Sequence, residues 1–481
     1  MVPRKIPRLL WVVLPLAYLV YFYDLSATGL LGPDEPRYAS IAREMARSGD
    51  WITPRLWGAP WFEKPALLYW LSGLGFRLGL STELAPRLPG AVLAVAFLAF
   101  YWWTLRREFG ERVAWLATLI LGSSGMWVAY SQIGVTDLPM AATFSAAMLL
   151  ALPWVARRDT TQLPVAAAMF GLAVLAKGLV PLALAAPLLM GRHVRDWLRW
   201  RVVAPFFLVA LPWYALCYWR NGWTFIHEFF VVHHFSRVTS GALLHGRPVW
   251  FYLPVLLLGL LPWTPLLGLT ARRRIYRNRQ RAFLGVWVLV VLALFSLSVN
   301  KLPGYILPLL PAAAALMALA VDEVVSARVW LAACGALLVA FPMTAQVLPA
   351  AVLNGLSRAP RPQFQAVWLA AGAVVALGAW LLESRGRRVA AVLAVAAGAA
   401  LGIGYLKAAA TPELDRNVSA RWLWHQIGGR AGEVCIGEVK RDWVYGLNYY
   451  SVTPLPDCEQ RWGSLQVLPG PGGRAYLEPI P

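Results

Sequence analysis

Cysteine, lysine and acidic residues are all scarce in this chain of 481 residues. Four cysteines exclude a disulfide-rich scaffold. With 14% charged and 59% hydrophobic residues, the composition excludes a disordered or collagen-like chain and does not fit a string of soluble domains. Acids number 24 against 44 bases, a net charge of +20, and only six of those bases are lysines. No small-residue cleavage site follows the apolar stretch Leu9–Tyr23, so that stretch reads as a first anchor rather than a removable signal peptide. No internal repeat of the kind many transporters carry is visible. What remains is an all-α polytopic membrane protein.

A spanning helix needs about 20 mainly apolar residues. Such runs lie near 9–28, 86–105, 112–130, 137–156, 202–219, 249–270, 329–349, 364–382 and 388–407. Two longer runs, 163–191 and 282–321, are each interrupted by a lysine beside glycine or proline, at Ala176-Lys177-Gly178 and Asn300-Lys301-Leu302-Pro303-Gly304. Lys and Arg in short loops stay in the cytoplasm. Basic clusters occur at Arg4/Lys5/Arg8, Arg106/Arg107/Arg112, Arg157/Arg158, Arg192–Arg201, Arg272–Arg281, Arg328 and Arg385–Arg388. If all face one side, the chain crosses an even number of times between neighbouring clusters. Both interrupted runs then become hairpins with their lysines at the outer turn. The expectation is about 13 transmembrane helices, or about 11 with a re-entrant pair around Lys177, whose flanking helices are short. Half of the basic residues sit in these clusters, so the high charge is an orientation signal and implies no nucleic-acid partner.

This topology puts the N-terminus in the cytoplasm. Outside lie a first loop of about 30–86, a segment of about 221–249 and the C-terminal tail. Residues 1–409 are expected to form the transmembrane domain and 410–481 a small soluble α/β domain, where Asp, Glu, Gly, Pro and Asn return. In the tail, Asn417–Ile427 reads as a helix and Val434–Val439 as a short strand. In an oxidising periplasm, Cys435 and Cys458 would close a loop of about 23 residues, stabilising the tail by ~2–4 kcal/mol; two buried thiols are the alternative.

The first outer loop is where charge concentrates. Tyr38, Ile41, Ala42 and Met45 recur at helical spacing while Arg37, Arg43, Glu44 and Arg47 point elsewhere, which suits an amphipathic helix at the membrane interface. Asp34 precedes it either as an ordinary N-cap or as a catalytic carboxylate beside the membrane. The topology brings Asp137, Lys177, Lys301 and the Glu63-Lys64 pair to the same side. A chain that uses arginine for generic cations yet places three of its six lysines at outer turns points to phosphate contacts, with snorkelling anchors as the alternative. The segment 221–249 holds four of the six histidines. His227-Glu228-Phe229-Phe230-Val231 fails the H-E-x-x-H zinc pattern, so a metal would need separate loops, such as Glu63 with His234.

Taken together, Asp34-Glu35-Pro36-Arg37-Tyr38, Gly49-Asp50-Trp51-Ile52-Thr53-Pro54-Arg55, Phe62-Glu63-Lys64-Pro65, Thr136-Asp137-Leu138-Pro139, Lys177-Gly178, His234-Phe235-Ser236-Arg237 and Lys301–Pro308 resemble the aminoarabinose transferases of lipid A modification. These sit within the wider protein-mannosyltransferase-like class that uses polyprenyl-phosphate sugars. The resemblance covers about residues 8–310. It implies a GT-C membrane fold in the inner membrane, a polyprenyl (undecaprenyl) phosphate sugar donor, and periplasmic transfer to an envelope lipid or glycan such as lipid A. By the same resemblance Asp34 and Asp137 are the catalytic acids. Arg37, Lys64, Lys177, Arg237, Lys301 and Tyr305 are expected at the carrier phosphate or substrate. Glu63 and His234 stand where some relatives hold a divalent metal such as zinc, though no cofactor is required. His245 and Arg247 are alternatives to His234 and Arg237. The chain departs from the pattern in its short tail and at Gly304, where relatives often carry a hydroxyl residue.

The expected chemistry is direct displacement at the anomeric carbon with inversion. Fixed cations offset charge building on the departing phosphate while a carboxylate serves the acceptor end. The competing reading is a multi-span secondary transporter or flippase for an anionic envelope substrate. It leaves the long first loop and the outer tail without a purpose.

Overall fold

The computed structural model describes residues 9–190, 193–235, 246–459 and 463–480, and of residues 190 and 233–235 the backbone alone. The protein is mainly helical. Among the described residues eight helices are long and apolar enough to cross a membrane, or up to ten if each of two bent pairs is one span. The expected runs mostly appear as expected, including Leu84–Phe109, Arg279–Leu297, Ala366–Ser384 and Arg388–Asn417. The run at 112–130 is bent by 62° between Glu111–Gly122 and Gly125–Ser131, and the run at 249–270 folds back by 119° between Val249–Gly259 and Thr264–Thr270. The expected figure of about 13, or about 11 with a re-entrant pair, also includes short and bent apolar runs. The first helix, Leu10–Tyr21, has 12 residues, and the limb after Lys177 consists of two pieces, Val180–Leu184 and Ala186–Met190, of 5 residues each. Pro181 and Pro187 remove backbone donors from that limb and stop it from forming one long helix.

Two helical segments, Asp137–Arg157 and Pro303–Glu323, form the centre, each with 94% of its most apolar window buried inside the protein. Both begin at candidate site residues. Asp137 opens the first, where the helix dipole favours an acid. Leu163–Lys177 packs against it, and Gly178, with φ 72° and ψ −144°, ends that helix in a conformation that favours glycine. Lys177 thereby falls in a C-terminal turn, where the dipole favours a cation. Two adjacent helix ends of opposite polarity set the acid and the base against each other.

The first loop folds as the helix Asp34–Ser48, a two-stranded turn of β1 (Arg55–Leu56) and β2 (Ala59–Pro60), and the helix Leu67–Arg77. Tyr38, Ile41, Ala42 and Met45 bury their face against Leu56, Leu68 and Tyr69, as the periodicity requires. The opposite face is covered too: Arg37 and Arg43 are buried, because the tail lies on it.

The helix Arg388–Asn417 runs past residue 410 into that tail. The helix Ala420–Ile427 is capped by Ser419. A three-stranded sheet follows in the order β3 (Val434–Ile436), β4 (Leu465–Pro469), β5 (Ala475–Pro479), with β3 and β4 parallel and β4 and β5 antiparallel. A disulfide joins Cys435 to Cys458. Between β3 and that second cysteine runs the helix Arg441–Ser451, which docks on the first loop: Arg43 Nη2 donates to the Tyr449 carbonyl at 2.7 Å, and Tyr449 Oη donates to the Thr82 carbonyl at 2.6 Å.

Candidate active site

Asp34 opens the loop helix, and its side chain is 44% exposed. One turn on, the Arg37 guanidinium reaches both Asp34 Oδ1 at 2.5 Å and Glu63 Oε2 at 2.9 Å. Glu63 Oε1 lies 3.4 Å from Lys64 Nζ. Arg37 is boxed by three aromatic rings, those of Tyr38, Trp61 and Tyr445, at 5.3, 5.7 and 5.2 Å from its Cζ. Tyr445 belongs to the tail helix and also stacks on Trp57. Burial works against the charge on Arg37, but Glu63, Tyr38 and Asp34 outweigh it and hold its pKa above the ordinary value. Burial first, then the Glu63 carboxylate, push the hydroxyls of Tyr38 and Tyr69 upward, so both stay neutral. Burial also raises the Asp442 carboxyl on the tail helix, with Lys440 and Arg441 opposing and Asp34 adding to it.

A second group forms at the two central helix ends. Lys177 Nζ donates to Asp137 Oδ1 at 2.7 Å and lies 5.0 Å from the centre of the Tyr305 ring. Gly304 is required here: a Cβ at that position would come within 2.5 Å of Asp137 Oδ1 and 2.6 Å of the Tyr130 hydroxyl. In this chain Tyr130 and Asp137 fill the space that a side chain at 304 would need. Lys301 is buried at 4% exposure, and its ammonium donates to the Ser298 carbonyl. It holds the hairpin turn, while Lys177 and Tyr305 form the cation–ring pair.

The two groups share one region. Phe62 and Ala66, flanking Glu63-Lys64, pack with Leu175, two residues before Lys177. Val135, two before Asp137, packs with Tyr38 and Tyr69. Beneath them lies an ion pair absent from the sequence reading. Arg87 and Glu35, 2% and 1% exposed, form two hydrogen bonds of 2.7 and 2.9 Å. Arg87 also donates to the carbonyls of Leu25, Thr28 and Gly29, and Glu35 accepts from the backbone N–H groups of Leu31 and Gly134. Every strong valence is used, so this pair locks the start of the loop helix to the turn before Asp137. The signal for it was an arginine just inside an apolar span, in Pro86-Arg87-Leu88-Pro89.

Arg237 and His245 lie outside the described residues, as does the side chain of His234, whose backbone continues the helix from Trp200. Arg247 is exposed. Among the described residues no three of His, Cys, Asp and Glu cluster to hold a metal. Glu63 faces Arg37 and Lys64, a poor setting for a third cation.

Comparison with known proteins now bears on this geometry. The family model for dolichyl-phosphate-mannose-protein mannosyltransferases matches residues 63–219. The undecaprenyl phosphate-α-4-amino-4-deoxy-L-arabinose arabinosyl transferase of Pseudomonas aeruginosa (strain UCBPP-PA14) is 34% identical over 328 residues, covering 64% of this chain and 59% of the relative. A similarly named transferase of Sodalis glossinidius is 36% identical over 323 residues, covering 62% and 57%. The crystal structure of ArnT from Cupriavidus metallidurans bound to undecaprenyl phosphate matches with a TM-score of 0.74 and 29% identity, over 92% of this chain and 85% of that one. The chain is similar in sequence and in fold to the aminoarabinose transferases. Arabinosyltransferase EmbB from Mycobacterium smegmatis shares the GT-C fold at a TM-score of 0.55 and 16% identity, over 89% of this chain and 43% of that one. The chain aligns to less than two thirds of the curated transferases' length, 59% in the first case. The family model begins at Glu63, so Glu63, Lys64, Asp137 and Lys177 all fall within the matched residues.

Proposed function

We propose that this multi-pass membrane protein is a glycosyltransferase that moves a sugar from an undecaprenyl-phosphate donor to an envelope lipid such as lipid A, with inversion. The observation that carries the reading is the meeting of two acid–cation groups, Asp34–Arg37–Glu63–Lys64 and Asp137–Lys177, at one end of the helical bundle. The likeness to a transferase solved with undecaprenyl phosphate supports it. Lys64 and Lys177 supply positive charge as the isoprenyl phosphate departs, with Tyr305 beside Lys177. Asp34, with the most open carboxylate of its group, steadies the oxocarbenium-like sugar or accepts the acceptor's proton, and Arg37 orients it. Asp137 holds Lys177. No step runs through a metal. The N-terminus lies in the cytoplasm of an inner-membrane protein. Residues 410–481 form a periplasmic domain over the site, and residues 1–409 form the membrane domain.

The test is transfer by the purified protein in nanodiscs, with undecaprenyl-phosphate aminoarabinose as donor, lipid A as acceptor and mass spectrometry as the readout. Asp34→Asn is expected to lower turnover about 10²–10⁴-fold with thermal unfolding unchanged. Wild-type protein that consumes no donor, or an Asp34→Asn variant as fast as wild type, would contradict the reading.

A further inference from the structure

A cavity of about 330 Å³ opens where the first loop meets the tail, on the far side of the loop helix's C-terminal end from Asp34. Its lining includes Arg43, Arg47 and Arg77, with Phe76, Thr82 and Tyr450. The three arginines come from two helix ends, Arg43 and Arg47 from Asp34–Ser48 and Arg77 from Leu67–Arg77. Among the described residues no carboxylate forms an ion pair with any of them. Of the nearby acids, Glu44 accepts from the Gly58 N–H at 3.0 Å and acts on Arg43 only at a distance, and Glu83 accepts from Thr82 and Tyr450 and pairs with Arg421 at 3.5 Å.

The arginines' own contacts are neutral or only partly negative. Arg43 rests 4.3 Å from the centre of the Tyr449 ring and donates to that residue's carbonyl. Arg77 donates to the Ala46 carbonyl at 3.3 Å, in the last turn of the loop helix. A helix C-terminus offers about half a negative charge, which leaves the cavity strongly positive. Burial lowers the proton affinity of Arg43, with Tyr449 opposing and Arg47 adding to it. The rim carries a further sign of constraint. Val452 ends the tail helix at φ 69°, a conformation rarely adopted by β-branched residues.

We propose that this cavity is a second anion site that binds a phosphate ester, the headgroup of an anionic lipid or of a phosphorylated acceptor, through Arg47 and Arg77 with the buried Arg43. Exposed, forked guanidinium groups suit two-point contact with phosphate oxygens. Arg43 and Arg47 lie six and ten positions beyond Arg37, which is ~9 and ~15 Å along the helix at 1.5 Å per residue. A ligand held here therefore sits beside the transfer site without occupying it. The inference goes beyond the proposed reaction, and its test uses no turnover.

The full chain in phosphatidylcholine nanodiscs is treated with phenylglyoxal, and modification of Arg47 and Arg77 is followed by mass spectrometry, with exposed Arg385 as the reference. Inorganic phosphate is expected to slow modification of Arg47 and Arg77 saturably, leaving Arg385 unchanged, while chloride at equal ionic strength has no such effect. Arg77→Gln, which removes an exposed head and spares the contacts of Arg43, should weaken phosphate protection of Arg47 about tenfold. Protection without added phosphate, once phosphatidylglycerol replaces part of the phosphatidylcholine, identifies a lipid headgroup as the source. Protection by added phosphate alone identifies a water-borne or acceptor phosphate. Equal slowing of all three arginines, equal protection by chloride, or unchanged protection of Arg47 in Arg77→Gln would overturn the proposal.

Discussion

Asp34 and Glu35 are neighbours in sequence but face different surroundings. Asp34 is 44% exposed on its side chain, whereas Glu35 is sealed against Arg87 with each carboxylate oxygen taken. Removing one partner of such a pair leaves an uncompensated buried charge, at a cost of about 3–5 kcal/mol. Arg87→Ala is therefore expected to lower the unfolding midpoint in detergent sharply, whereas Asp34→Asn leaves it near wild type. Equal midpoints for Arg87→Ala and wild type would show that Glu35 is satisfied some other way. Asp34, Glu63, Lys64, Asp137 and Lys177 were legible as charges that an apolar chain places on one side. Their pairing was not, because a pair such as Asp137–Lys177 joins residues 40 positions apart. Glu35 was read with Asp34, and only the fold separates the structural acid from the open one. Lys301 reads as a substrate contact like Lys177, and in the fold its ammonium also donates to the Ser298 carbonyl of the hairpin turn.

At the scale of elements, periodicity found the loop helix and its apolar face, and composition found the helix and strand that open the tail. The helix Arg441–Ser451 is not legible in the sequence because its partner is an arginine-bearing face of a segment far away in the chain, where Arg43 donates to the Tyr449 carbonyl. Its ring at Tyr445 lies 5.2 Å from Arg37 Cζ, so the tail helps hold the cation that bridges Asp34 and Glu63. A desolvated cation–ring contact contributes up to about 2 kcal/mol. Tyr445→Leu is thus expected to lower kcat about tenfold with a smaller change in the donor KM, while Tyr445→Phe, which keeps the ring, stays near wild type. Tyr450→Phe separates positioning from docking, since it removes the contacts to Glu83 and Leu30 and leaves Tyr445 in place. If it costs as much as Tyr445→Leu, the tail matters only for docking.

Across the whole molecule, the apolar runs and the charged breaks between them describe the architecture. Translocating arginine clusters is costly, which favours placing them on one side, and both interrupted runs do break at their lysines. Hydropathy registers apolar length without seeing prolines that divide a run, so it finds the limb after Lys177 but not its division at Pro181 and Pro187. The fold's central feature is that two wrapped helices begin beside a loop and a tail that close over their ends. Single cysteines placed at Asp34, Lys64, Lys177 and Asp442 test it most directly, labelled in intact cells with a membrane-impermeant maleimide. Reaction of the exposed positions from outside, with the buried ones following only once the outer membrane alone is permeabilised and the protein loosened, is the predicted result. Labelling of any of the four from the cytoplasmic side alone would contradict a single outer site.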